Sequence, residues 1–179
     1  ALALEAGEIE TAIVAGASMA SAQSLVLFSQ AQSCSATGSR PFDDEADGLV
    51  ASEGYVVLIV KTLERAIRDR DDIKAVIRGL GMSSDGRALS LWAPRKEGQI
   101  AALERAYRDL DPGHVDYIEA HATSTQVGDA TEIEALAEFF GPRLKGRRIP
   151  IGSVKSNLGH TLETAGLASL VKVALALRH

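Results

Sequence analysis

One cysteine in 179 residues is the most telling scarcity of this sequence. A single thiol cannot form an internal disulfide framework, so an apolar core must hold the fold, and a reducing compartment, the cytoplasm, is the expected setting. Long apolar runs are missing as well. No stretch reaches the roughly 18 consecutive apolar residues that a membrane-spanning helix needs, because Lys172 interrupts even the apolar C-terminal segment. Ala1–Gly7 does not read as a secretory leader, since it has no basic segment and Glu5 falls inside its apolar stretch. Positive charge is also short: 19 Lys and Arg face 24 Asp and Glu, for a formal net charge of −5. That balance removes the general basic footprint of nucleic-acid binders, so neither nucleic acid nor membrane is an expected partner.

Hydrophobic residues make up 46% of the chain, enough to bury the core of an α/β unit, and there are no repeats or low-complexity tracts. Thr11–Ala17 reads as a strand, followed by a small-residue segment and a polar loop at Gln32–Ser39. Gly54–Val60 is a β-rich run feeding a helix from about Thr62 to Arg70. Ile73–Gly79 reads as a further strand and Met82–Glu97 as a long loop. Helices at Gly98–Leu110 and Thr131–Phe140 alternate with short strands at Val115–Ala120 and Ile149–Val154, and an Ala/Leu/Val-rich helix runs from about Thr164 to the C-terminus. This alternation predicts a largely parallel, buried sheet with helices on its faces. Alternating charges over Glu64–Asp72 read as a solvated helix face. The cluster Arg143–Arg148 reads as a charged loop between helix and strand, with a surface steering an acidic partner as the alternative.

Two segments carry chemistry. VDYIEAHATSTQVGD places His121 at the exit of one predicted strand, and IGSVKSNLGH places His160 near a helix start after another, with Lys155 five residues before it. In an open α/β sheet, ligands bind beyond the carboxyl ends of the strands, so two histidines delivered there can face one reacting group. Imidazole, with an ordinary pKa of about 6.5, can donate or accept near neutral pH. A lone histidine at a strand exit is more often a hydrogen-bonding residue than a catalyst; the pair, the lysine and the hydroxyls of Thr123–Thr125 together point to a site. Cys34, in the polar loop Gln32–Gly38, has neither a helix N-terminus nor a neighbouring cation to activate its thiol, and shows no metal-ligand spacing.

EAHATSTQVGDATEIEAL resembles the first histidine block of the β-ketoacyl synthases, EAHGTGTxxGDxxE, and SVKSNLGHTLETAGLASLVKVALALRH resembles their second block, KSNxGHxxxAAG. Upstream, RPFDDEADGLVASEGYVVLIVKTLERA is similar to the family's RPFDxxADGxxxGEGAGxxVLKxLxxA, and LWAPRKEGQIAALERAY to the segment that follows it in modular polyketide synthases. The resemblance implies a thiolase-like fold of layered αβαβα type, present in part: residues 1–95 as the end of its N-terminal half and 96–179 as the start of its C-terminal half. It further implies a decarboxylative Claisen condensation between an acyl thioester and a malonyl thioester. The chains ride on the phosphopantetheine arm of an acyl carrier protein, with no cofactor or metal held by the protein and a homodimeric full-length parent.

Residue by residue, His121 and His160 match the histidines that promote decarboxylation and stabilise charge at the thioester oxygen, and Lys155 the lysine that positions and polarises them. Thr123 and Thr125 match hydroxyls that bond the pantetheine arm. Asp129 and Glu132 match structural carboxylates that hold the loop through backbone hydrogen bonds at a helix start. The family's nucleophilic cysteine lies in a TACSSS block, which this sequence lacks and which belongs just before Ala1; a GFGGTN loop belongs beyond His179. The chain therefore reads as the centre of a ketosynthase, inactive by itself. A non-condensing partner of the chain-length-factor kind is the alternative. Ala122 and Ser124 stand where many polyketide synthases have glycine, so a positive φ at either position costs about 1 kcal/mol. Trp92 is expected in the core, with a place along an acyl channel as the alternative.

Overall fold

The computed structural model describes residues 2–86 and 93–179. Trp92, and with it part of the loop expected at Met82–Glu97, lies outside the described residues. In chain order the elements are α1 (Leu2–Glu5), β1 (Thr11–Ser18), α2 (Ala22–Gln30), β2 (Gly54–Lys61), α3 (Leu63–Asp69), α4 (Lys96–Ala106), β3 (Ile118–Glu119), α5 (Gln126–Phe140), β4 (Ile151–Gly152), α6 (Lys155–Leu158) and α7 (Ala165–Ala176). Single 3-10 turns at Pro112–His114 and Leu162–Thr164 join them.

The sheet is not the largely parallel one that the β/α alternation predicts. β1 and β2 pair antiparallel from Thr11↔Lys61 to Ser18↔Gly54, while β3 and β4 form a separate parallel pair of only two rungs, Ile118↔Ile151 and Glu119↔Gly152. Alternation decides what each face of β1–β2 meets. One face receives α7 and the Leu162–Thr164 turn. Gly16 and Gly54 make that approach possible: a Cβ on Gly16 would lie 2.9 Å from both Leu167 Cδ1 and Thr164 Cγ2, and one on Gly54 would lie 2.9 Å from Thr164 Oγ1. Thr164 is fully buried there and satisfies its hydroxyl on the Thr161 carbonyl at 2.9 Å. The other face stays open, with Ile13, Tyr55, Val57 and Ile59 between 65 and 75% exposed. The buried sheet with helices on its faces, expected from the β/α alternation, is therefore corrected for β1–β2 to burial on one face.

Other boundaries move for local reasons. Ile73–Gly79 has β-forming residues but no neighbouring strand among the described residues, so it is no strand; it runs beside α4, where a Cβ on Gly79 would strike the Ala106 carbonyl. α5 begins at Gln126, five residues before the expected start, and takes Gly128 and Asp129 out of the expected loop. The helix α2 is an addition, opened by Ser21, whose hydroxyl accepts the Ser24 N–H at 3.1 Å as an N-cap.

Behind the parallel strands sits the core cluster of Leu136, Phe139, Phe140 and Leu144, with Tyr107 and Ile118 packed against it. The rings of Tyr107, Phe139 and Phe140 lie 4.9–5.6 Å apart at tilted or edge-on angles, a preferred aromatic arrangement. Each buried phenylalanine contributes about 1.5–3 kcal/mol. This cluster clamps α4 and α5 together and backs the short pair β3–β4. The basic cluster is largely consumed by its own surroundings: Arg143 stacks 4.2 Å over the Phe139 ring, and Arg147 bonds the Gly113 carbonyl and Asp116.

Candidate active site

Parallel pairing sets the exits of β3 and β4 side by side, and the last rung is Ala120 N–H to the Gly152 carbonyl at 2.7 Å. Past it the two chains diverge, one into His121 and the other into Ser153–Lys155. Glu132, on the second turn of α5, then takes over from the ladder: its two oxygens accept the N–H groups of His121 and Ala122, each at 2.7 Å. Ala122 and Ser124, the positions where the family often has glycine, have φ of +25° and +64°, so both carry a Cβ in left-handed backbone. Ser124 gains something in exchange, since its hydroxyl lies 3.2 Å from Ser39 Oγ and its carbonyl accepts the Gly48 N–H at 2.8 Å. Asp129 accepts the Phe42 N–H at 2.8 Å on one oxygen and buries the other with no partner among the described residues.

On the second side, Gly159 turns the chain at φ +78°; a Cβ there would sit 2.7 Å from the Val50 carbonyl. His160 is pinned to that same segment by hydrogen bonds to Val50 and Ser52 of 2.7 and 3.0 Å. The two imidazoles meet edge to face, with ring centroids 5.6 Å apart and planes at 86°. His160 Nδ1 accepts the Leu162 N–H at 3.0 Å. A neutral imidazole whose Nδ1 accepts must carry its proton on Nε2, so His160 presents Nε2–H as a donor.

Electrostatics keeps both rings neutral at pH 7. Burial, then the Lys155 charge, then His121 hold the His160 pKa down to about 4. His121, exposed and lining the cleft, is still partly desolvated by the protein around it, and this, ahead of the Lys155 charge, lowers its pKa as well. Lys155 is 2% exposed and takes part in none of the ion pairs among the described residues. Burial lowers its pKa, and Glu132, Glu119 and Asp129 raise it.

A cleft of about 700 Å³ opens beside His121 and is lined by Thr123, Thr125, Gly128, Asp47 and Pro94 among others. The hydroxyls of Thr123 and Thr125 stand 3.1 Å apart in it. His160 and Lys155 are not among its lining residues. Nor is Cys34, which is half-buried and forms a bridge with Leu49. Three residues that the sequence pattern does not single out also gather at the strand exits: Tyr117, Glu119 and Lys172. The available signal is two polar residues at i and i+2 on one face of a buried strand. Together the geometry sets His121 at the edge of the cleft and, edge to face with it, His160 with its N–H donor, both neutral and under the influence of the Lys155 charge, an arrangement suited to stabilising a developing oxyanion.

Two family models cover nearly the whole sequence: the β-ketoacyl synthase N-terminal domain matches residues 1–66 and the C-terminal domain residues 74–179. A highly reducing polyketide synthase of Neurospora crassa is 41% identical over 179 residues, 98% of this chain and 8% of that protein. The 5-methyl-1-naphthoate synthase of Streptomyces sahachiroi is 39% identical over 182 residues, 99% of this chain and 10% of its own length. The ketosynthase from module 6 of the bacillaene synthase from Bacillus subtilis 168 has the same fold, with a TM-score of 0.96 and 36% identity, over 99% of this chain and 33% of that one. This chain thus spans a tenth or less of these curated relatives, and a third of the solved ketosynthase. On its sequence and on its fold, thiolase-like as in the ketosynthases, the chain belongs to the β-ketoacyl synthase family.

Proposed function

We propose that this chain supplies the decarboxylation side of a ketosynthase, an acyltransferase that joins an acyl thioester to a malonyl-type extender on acyl carrier protein. His160 Nε2–H and His121 donate to the malonyl thioester oxygen. As the bond between the carboxylate and the α-carbon breaks, its electron pair moves into the thioester, carbon dioxide leaves, and charge gathers on that oxygen. The enolate carbon then attacks an acyl thioester held on a cysteine, forming the new carbon–carbon bond and releasing the thiolate. One preorganised donor to such an oxyanion is worth about 2.7–4 kcal/mol.

Burial, with the Lys155 charge second, keeps the two imidazoles neutral, so each ring donates through its single N–H, and Lys155 polarises the site. Thr123 and Thr125 receive the phosphopantetheine arm in the cleft, while Asp129 and Glu132 fix the loop between them. The cysteine nucleophile belongs to a TACSSS block rather than to Cys34. Acyl carrier protein, acyl thioesters and malonyl thioesters are the partners of the full-length protein, which works as a homodimer in the cytoplasm.

The observation that carries this reading is the edge-to-face histidine pair with the His160 proton fixed on Nε2. Its test is carbon dioxide release from a malonyl thioester by the full-length synthase carrying His160→Ala. A fall of about 10²–10³-fold is expected, and an unchanged rate would sink the reading. A subunit of the chain-length-factor kind would keep the fold without needing His121, Lys155 and His160. Full product formation by a His121→Ala, His160→Ala double variant would favour that alternative.

A further inference from the structure

The parallel pair that carries both strand exits has only two rungs, yet the positions beyond it must be held to within a fraction of an ångström for two donors to meet one oxygen. A single buried carboxylate continues the connection. Glu119, whose side chain is 5% exposed, accepts the Val154 N–H on Oε1 at 2.5 Å, so it spans from β3 to the residue just before Lys155. On Oε2 it accepts the Tyr117 hydroxyl at 2.6 Å and the Lys172 ammonium, from α7, at 2.7 Å. Lys172 also donates to the Tyr117 hydroxyl at 2.9 Å, which closes the triangle. Room for it is made by Gly152 of β4, where a Cβ would lie 2.6 Å from the Tyr117 hydroxyl and 3.5 Å from Lys172 Nζ.

Three elements therefore converge on one side chain, and each leads directly to a residue of the site: β3 to His121, β4 to Lys155, and α7 from His160. We propose that Glu119, charged and held by Lys172 and Tyr117, is a positioning residue that sets the spacing of His121, Lys155 and His160. This rests on the condensation reading above. Val154 lies past the last rung of the ladder, and its N–H bonds the Glu119 carboxylate instead of a strand carbonyl. The Lys172 charge matters because a buried carboxylate stays ionised only beside a compensating cation. The Glu119 carboxyl is in fact held below its ordinary pKa: burial, the largest influence, works against ionisation, and hydrogen bonds from Lys172, Tyr117 and Val154 together outweigh it.

The test compares two half-reactions in the full-length synthase carrying Glu119→Gln, Lys172→Met, Lys172→Arg or His160→Ala. Acyl loading onto the enzyme is read by intact mass, and carbon dioxide release from a malonyl thioester is read as kcat and KM. Glu119→Gln and Lys172→Met are expected to load acyl groups as the wild type does while kcat for decarboxylation falls about 10–100-fold. KM is expected to change less than about threefold, and Lys172→Arg to recover the rate. A wild-type decarboxylation rate in Glu119→Gln or Lys172→Met would overturn the positioning role. So would equal losses of loading and decarboxylation, which mark a general structural defect. If His160→Ala also kept the wild-type rate, the condensation reading itself would fall; if only His160→Ala were impaired, the clamp alone would be discarded.

Discussion

His160 is the residue whose environment makes the sharpest demands. Its pKa in the folded chain, about 4, lies below the ordinary 6.5. As pH falls from 6.5 toward 4, the unfolded chain therefore takes up a proton that the folded chain refuses, and stability drops by up to about 1.4 kcal/mol per pH unit. Urea unfolding of the full-length protein across that window is expected to show this slope, and His160→Gln to flatten it by about one proton. Because Lys155 is the second cause of the depression, Lys155→Met should move the His160 midpoint upward in an NMR titration of its ring; an unmoved midpoint would remove Lys155 from that role. Glu132 makes a different demand. Its two oxygens each satisfy one backbone N–H of the His121 loop, so Glu132→Ala should cost about 1–3 kcal/mol, measured as a shift in unfolding midpoint, together with a loss of decarboxylation.

At the scale of elements, small residues decide where helices and strands meet. Gly16→Ala would push a methyl group into Leu167 and Thr164, which already stand 2.9 Å from its ideal position. Overpacking of this kind costs about 1–3 kcal/mol, and a lowered unfolding midpoint would register it as β1 lifting from α7. The strands Thr11–Ser18 and Gly54–Lys61, the helix after Thr62 and the exits carrying His121 and His160 were legible in the sequence, because each has an apolar run or a cap that acts locally. Strand pairing was not legible. The antiparallel register of β1 with β2 depends on contacts more than 35 residues apart in sequence, and Ile73–Gly79 has strand-forming residues without a strand beside it among the described residues. The early start of α5 was missed because Gly128 counts against a helix locally, whereas tertiary packing carries it. Of the candidate site, the histidines stood out by their places at two strand exits, while Lys155 and the threonines drew their roles from the resemblance of their blocks to the β-ketoacyl synthases. Glu119 and Lys172 escaped, since nothing along the chain announces that positions 53 residues apart share one half-buried ion pair.

Across the whole molecule, the uneven covering of β1–β2 governs behaviour in solution. Ile13, Tyr55, Val57 and Ile59 form an open apolar face on the side away from α7, and Leu25, Val26 and Leu27 of α2 are exposed too. Exposed apolar surface of this extent is unusual for a lone soluble chain. The isolated 179-residue polypeptide is therefore expected to bind a hydrophobic dye and to associate as its concentration rises in sedimentation experiments. A monodisperse monomer without dye binding would contradict the open face. The net charge of −5 offers little protection, because repulsion between scattered surface charges is screened beyond about 8–10 Å at physiological salt.

The Lys172–Glu119 contact also imposes an order on synthesis. Both histidines leave the ribosome before α7 does, so a nascent chain ending near residue 165 carries His121, Lys155 and His160 but not the cation that lets Glu119 bridge the strand exits. Such a chain is expected to hold His121 and His160 at no fixed separation, and spin labels at the two positions would report a broad distance distribution that sharpens once residue 172 has emerged. On the condensation reading proposed above, the spacing of the histidines is thus set only once α7 has emerged, not when the histidines themselves have.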